Sequence, residues 1–351
     1  MNNNVYIVGT HVVLPQFFPT VEVMDAIYRE ELCGSRVNRL AKKMAASAQI
    51  RNRAISIDLS RFPQKLVAPQ DSPVQWGKTA ADHLMQRLPR DEVGFVSVSY
   101  NISSHQDVVP NLAVRISQAS RFRDLAPPEQ FVHYGCASGI WSIESAVKFC
   151  REKYASAFVF AFEQCSWIMN PIYDELDSRF GASLRGNAIF GDGGVGMLLV
   201  SERSAGTFDK RLRILDTETH FEFGEAIGMD GEHFLVGDKV KDVMPRLVSE
   251  KAIKPLLRRN SLTAADVKEW SIHQGGFHVL EQFLEPDILG LTQAQIEPSR
   301  EMFKAYGNMS SASNFVVLDW HMRRGASTGD YGVVVGFGAG YYLGAVLYRH
   351  E

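Results

Sequence analysis

Phe131-Val132-His133-Tyr134-Gly135-Cys136-Ala137-Ser138-Gly139-Ile140 is the stretch on which the reading of this chain turns. Residues 131–134 are strand-like, and Ile140, Ile143, Val147 and Cys150 then recur at helical spacing. A strand that hands over to a helix through this small-residue turn puts Cys136 at a helix N-terminus. Unpaired N–H groups and the helix dipole favour a thiolate there. The neighbours Gly135, Ala137, Ser138 and Gly139 leave room for a substrate. In isolation the same cysteine also reads as a small buried hydrophobe.

Outward from that junction, strand-like and helix-like segments alternate to both ends, which predicts an α/β fold. Before it come an apolar run at 5–9, an amphipathic segment at 20–31 with Val21, Met24, Ile27 and Tyr28 on one face, and a basic, partly helical segment at 36–53. A helix at 72–88 opened by Ser72-Pro73 and a buried strand at 93–99 follow. After the junction come a strand at 155–163 and a glycine turn with a strand at 187–200. Beyond a polar stretch at 201–210 a second series begins: strand 213–219, helix 239–260, strand end 270–273, helices 277–284 and 308–323, then apolar runs 332–340 and 344–348 around a glycine loop. The glycine-rich endings at 190–200 and 333–347 suggest two related halves of about 170 residues. The division falls near Ser204, giving 1–204 with Cys136 and 205–351 with His273 and Asn308.

The 351 residues are 45% hydrophobic and 22% charged, an ordinary globular composition, and a net charge of −3 lacks the basic excess of a nucleic-acid binder. No apolar run reaches membrane-spanning length. Cys33, Cys136, Cys150 and Cys165 form no CxxC pair, so neither a disulfide framework nor a zinc site is expected. The opening Met1-Asn2-Asn3-Asn4-Val5 lacks a basic leader and reads as the approach to a first strand, so a reducing cytoplasmic setting is expected.

Gly191-x-Gly193-x-x-Gly196 matches a dinucleotide fingerprint in letters only. That motif must open a helix, whereas these glycines precede the strand-like Met197-Leu198-Leu199-Val200 and read as a tight turn. His273 ends a strand-like stretch, and Gln274-Gly275-Gly276 leaves space beside the imidazole. Asn308 stands at a helix start, where a cap is the plain alternative. A cysteine with a histidine and an asparagine elsewhere in the chain is a known nucleophilic arrangement.

In order and spacing, Cys136, His273 and Asn308 resemble the thiolase superfamily, and within it the ketoacyl synthase III and chalcone synthase-like (type III polyketide synthase) branch. Tyr306-Gly307-Asn308-Met309-Ser310-Ser311-Ala312-Ser313 resembles its asparagine motif, and Phe190-Gly191-Asp192-Gly193-Gly194 its turn before the last strand of the first half. Gly336-Phe337-Gly338-Ala339-Gly340 is similar to its C-terminal glycine loop. Phe234-Leu235-Val236-Gly237-Asp238-Lys239-Val240 is similar to the segment that opens its second half. The double glycine after His273 looks like the type III polyketide synthases. The resemblance spans almost the whole chain. It implies a thiolase fold, two related halves in five αβαβα layers, usually as a homodimer. It implies transfer of an acyl group from a coenzyme A or acyl carrier protein thioester to Cys136, then decarboxylative Claisen condensation with a malonyl or β-ketoacyl thioester. A specialised-metabolite product (polyketide, pyrone or cyclic dione) fits, and no metal or redox cofactor is implied.

By the same resemblance, the N–H groups of Cys136 and Ala339 form an oxyanion hole, while His273 Nε2–H and the Asn308 amide stabilise an enolate oxygen. One such donor is worth about 3–4 kcal/mol. An intact asparagine motif favours condensation over acyl transfer to a hydroxyl or amine, the second reading. A non-catalytic partner subunit, the third, would be expected to lose part of the trio. The glycine loop lacks the second cysteine of degradative thiolases. Phe190 and Phe234 stand where that branch gates a substrate tunnel, or they are core phenylalanines. Two basic runs, Arg36, Arg39, Lys42, Lys43, Arg51, Arg53 and Lys251, Lys254, Arg258, Arg259, would meet a phosphopantetheine phosphate or an acidic carrier protein, with Arg36 and Arg259 as the representative contacts; the alternative is solvated faces. His133, His278, Cys33, Cys150, Cys165 and Asp192 read as structural.

Overall fold

The computed structural model describes residues 3–105, 108–153, 155–224, 227–237 and 240–351. The first half opens with β1 (Val5–Val13), a short β2 (Phe17–Pro19), α1 (Thr20–Ile27), α2 (Glu30–Ser47) and β3 (Asn52–Ala54), which pairs with β2. The amphipathic segment expected at 20–31 is split, because Tyr28 leaves helical geometry and α2 restarts at Glu30. α3 (Pro73–Leu84) starts as expected: the Ser72 side chain accepts from the Gln75 N–H, and Pro73 occupies the first turn. β4 (Val93–Tyr100), α4 (Leu112–Ser120), β5 (Glu129–Val132), α5 (Ser138–Lys153), β6 (Ser156–Gln164), α6 (Phe180–Ile189) and β7 (Asp192–Ser201) complete this half. Ser204 lies in the short α7 (Glu202–Ala205). The second half runs through β8 (Leu212–Phe221), a hairpin of β9 (Ile227–Asp230) and β10 (His233–Val236), α8 (Val240–Val248), α9 (Lys254–Arg259), β11 (Val267–Ile272), α10 (Phe277–Gln282), α11 (Gln293–Tyr306), α12 (Ser313–Arg324), β12 (Tyr331–Phe337) and β13 (Tyr342–His350). Asp238 and Lys239 of the segment quoted above lie outside the described residues.

Nine strands hydrogen-bond in the order β11-β12-β13-β8-β1-β7-β6-β4-β5, and the two halves meet at the antiparallel β1–β8 seam. β4, β6 and β7 are buried along their whole length, as strands covered on both faces must be. One core joins Ile140, Ile143 and Val147 of α5 and Phe315 and Leu318 of α12 to Val159, Val195 and Met197 of the first half and Val334 and Val346 of the second. α5 and α12 are therefore a central layer shared by both halves. α3 and α4 cover the far face of the first half, with Trp76, Ala80 and Ile116 against Phe158, Phe160 and Phe162. Met244, Leu256, Leu280 and Ile296 of α8 to α11 cover the far face of the second, against Trp270, Val335 and Leu347. The result is the five-layer αβαβα thiolase fold.

The tight turn expected at 191–196 is not there. Gly193, Gly194 and Gly196 lie inside β7. A Cβ on Gly194 would come 2.8 Å from the Phe160 ring, and one on Gly196 2.6 Å from Ala80. The glycines serve close packing, letting neighbouring rings and α3 settle onto the strand.

Candidate active site

Cys136 occupies the turn Gly135–Ala137 that leads from β5 into α5. Gly135 has a left-handed backbone (φ +56°), and a Cβ there would lie 2.6 Å from the Ala339 nitrogen. A Cβ on Gly338 would collide with the Cys136 nitrogen. Glycine at both positions lets the 338–340 loop close on the cysteine turn, so the backbones of Cys136 and Ala339 adjoin. Cys136 Sγ lies 3.3 Å from Ser310 Oγ. Burial pushes the thiol up to about 12; the Ser310 hydroxyl opposes this and Glu163 adds to it. The helix terminus therefore does not hold a resting thiolate, because burial outweighs it.

His273 follows β11, and its backbone N–H donates to Val335 O at 3.0 Å. The side chain is buried, and Nδ1 has no partner among the described residues. Burial pulls the imidazole down to about 3, with a hydrogen bond to the Ser310 backbone in opposition. His273 is thus a neutral ring that can donate without carrying charge.

Asn308 is clamped to the first half: its N–H donates to Ile189 O (2.8 Å), and its carbonyl accepts from the Gly191 N–H (3.0 Å). Gly307 before it has φ +74°, and a Cβ there would lie 2.7 Å from Ile189 O. Asn308 Oδ1 accepts from the Ser310 N–H at 2.8 Å and lies 3.3 Å from Ser313 Oγ. A backbone N–H can only donate, so this contact identifies the oxygen and leaves the NH2 as the donor end.

Cys136, His273 and Asn308 line one cavity of about 170 Å³, together with Ala339, Phe190 and Phe234. The two phenylalanine rings meet edge to face, with centroids 5.1 Å apart. Ile189, Val236, Val240, Gly275 and Val279 also border an outer pocket of about 480 Å³, whose walls carry Arg185, Lys241, His278 and Arg300. The inner cavity therefore adjoins a wider vestibule, in which Glu281 pairs with His278 (3.1 Å) and Arg300 (3.6 Å).

Arg36 and Arg259 are at neither. Arg36 pairs with Glu175 at 3.0 Å, and Arg259 with Asp216 at 3.0 Å and with Glu218, so local carboxylates occupy both guanidinium groups. His133 and Cys165 line the inner cavity and His278 the outer pocket, although all three read as structural from sequence. Asp192 is structural as expected: buried, it accepts from the Ser56 and Ser166 N–H groups, each at 2.7 Å, and ties two loops to the start of β7. Sequence reasoning missed Ser310, Asn101 and Glu163. Buried Glu163 accepts from the Asn101 amide (2.7 Å), the Ile102 N–H (2.9 Å) and Ser311, and burial raises its pKa. A single carboxylate ending the apolar run 155–163 was the available signal. Among the described residues no group of three His, Cys, Asp or Glu side chains could hold a metal ion, and no helix is long and apolar enough to cross a membrane.

Residues 227–350 match the sequence profile of the family described as "Chalcone and stilbene synthases, C-terminal domain". A Bacillus subtilis (strain 168) protein named "Putative chalcone synthase" is 23% identical over 286 residues, covering 77% of this chain and 74% of its own length. PKS-I from the brown alga Ectocarpus siliculosus superposes with a TM-score of 0.81 at 17% identity, over 100% of this chain and 99% of that one. The C-terminal type III polyketide synthase domain of the Dictyostelium hybrid Steely1 superposes with a TM-score of 0.75 at 16% identity, over 99% of each chain.

Proposed function

From a C-terminal portion that matches the chalcone and stilbene synthase C-terminal domain, in a chain folded like type III polyketide synthases, we infer a condensing enzyme that forms carbon–carbon bonds by Claisen chemistry. The observation that carries this reading is that Cys136, neutral His273 and Asn308 line one cavity.

In the first stage Cys136 attacks an acyl thioester. Its S–C bond forms, the donor's C–S bond breaks, and the thiol proton leaves with the departing thiol. In the second stage a malonyl thioester loses CO₂, and the electron pair of the broken C–C bond becomes an enolate. The neutral imidazole of His273 and the Asn308 NH2 donate to the enolate oxygen. The carbanion attacks the acyl-Cys136 carbonyl, and collapse of the tetrahedral intermediate expels the Cys136 thiolate, which takes a proton from water to restore the resting thiol. Adjoining Cys136 and Ala339 backbones support an oxyanion hole at that carbonyl. The vestibule's Lys241 and Arg185 support a phosphate-bearing carrier, coenzyme A or phosphopantetheine. Division into 1–204 and 205–351 is supported by the seam between β1 and β8, and a homodimer by the family resemblance alone.

Incubation with an acyl-coenzyme A and carboxyl-labelled malonyl-coenzyme A tests this. Labelled CO₂ and a product lengthened by a new carbon–carbon bond are expected. Esters or amides of added alcohols and amines, with no lengthened product, would instead establish simple acyl transfer.

A further inference from the structure

The inner cavity divides by chemistry. Its polar side chains come from the cysteine turn and the segments around it, among them Asn101, His133, Cys165 and Ser310. The hairpin of β9 and β10 contributes none. Its register sets Phe234 opposite Met229 and Val236 opposite Ile227, and all four line the cavity. Strand alternation turns Leu235 to the other face, where it borders an outer groove that Met229, at the hairpin's rim, also reaches. The end of α6 and the start of α8 extend the same wall with Ile189 and Val240.

We propose that the acyl group placed on Cys136 is a plain aliphatic chain lying against this hairpin, and that Ile227 and Met229 set its length. The proposal rests on the condensing-enzyme reading and names its donor class. A hydroxyl or charge against the hairpin would lose water and find no partner. A hydrocarbon gains about fourfold in binding for each methylene buried. Asn101 is already engaged, its amide donating to Gly135 O (2.9 Å) and to Glu163 (2.7 Å), and the donors left open, on His273 and Asn308, lie outside the hairpin, which offers none. Met229 is half-exposed and unbranched, so it can shift to fit chains of different length.

Straight-chain acyl-coenzyme A donors from butanoyl to tetradecanoyl, mixed with hydroxycinnamoyl-coenzyme A, are offered in competition, and the acyl groups on Cys136 and in the product are read by mass spectrometry. Aliphatic groups are expected to dominate, rising about fourfold per added methylene until the cavity is full. Ile227→Ala and Met229→Ala are expected to move the optimum to longer chains, and Ile227→Phe to shorter ones. Hydroxycinnamoyl incorporation equal to the aliphatic series overturns the proposal, as does a chain-length profile unmoved by all three variants. Loading of no donor at all overturns the functional reading itself, and the inference with it; that failure is recognisable because no profile exists.

Discussion

At the residue scale the site rests on three side chains whose chemistry is set by burial. His273 is held neutral near 3 and Cys136 near 12, so the resting pair carries no charge at neutral pH. Alkylation of Cys136 by iodoacetamide is then predicted to be slow at pH 7 and to rise about tenfold per pH unit through pH 9, following the thiolate fraction. A plateau below pH 8 would contradict this. Asn308→Ala removes an enolate donor but leaves the thiol in place. It should cut condensation by about 10²–10³ while acyl-enzyme still forms in the mass spectrum. Loss of both steps together would mean that Asn308 does not act on the enolate. Cys136 and His273 stood out in the sequence because each follows a strand and is followed by small residues, and Asn308 because it opens a run of small residues between α11 and α12. Ser310, Asn101 and Glu163 did not, because their contacts reach across the fold, such as the 3.3 Å approach of Ser310 to Cys136. Arg36 and Arg259 misled because a basic run states charge and says nothing of the carboxylates that fold beside it.

At the element scale, glycine was the hardest letter to interpret. The same residue type closes the 338–340 loop on Cys136, turns the chain before Asn308, and thins β7 for α3. Periodicity gave the strands β4 and β6 to within a residue at each end, since their apolar patterns are strong, and the start of α3, which ends at Leu84 rather than at the expected 88. It missed α6, whose sequence Phe180–Ile189 is almost uniformly small or apolar and shows little contrast between faces. The packing reading of β7 makes a prediction. Gly196→Ala would set a Cβ 2.6 Å from Ala80 and should lower stability by about 1–3 kcal/mol, read as a lower urea midpoint with unchanged slope. An unchanged midpoint would return Gly196 to the role of a turn residue.

At the scale of the whole molecule, the central layer of α5 and α12 joins the two halves, with Cys136 just before α5, Asn308 shortly before α12 and His273 after β11, so the cavity they line draws on both halves. Acid sensitivity follows from His273. Its folded pKa is depressed to about 3, so as pH falls below about 6.5 the unfolded chain takes up a proton that the folded one refuses. The stability this group permits is complete above that value and falls by roughly 1.4 kcal/mol per pH unit below it. The raised carboxyls Glu163 and Asp192 act in the opposite sense, because the folded state protonates them first. Comparison with His273→Asn isolates the histidine: the variant's unfolding free energy should fall less steeply between pH 6 and 4, and equal slopes would contradict a buried neutral ring. The central claim is covalent loading of Cys136, and intact-protein mass spectrometry tests it most directly, with wild type and Cys136→Ala incubated beside a panel of acyl-coenzyme A and acyl-carrier thioesters. Wild type should gain the mass of one acyl group and the variant none. A gain that persists in Cys136→Ala, or no gain in wild type with any donor, would contradict the account.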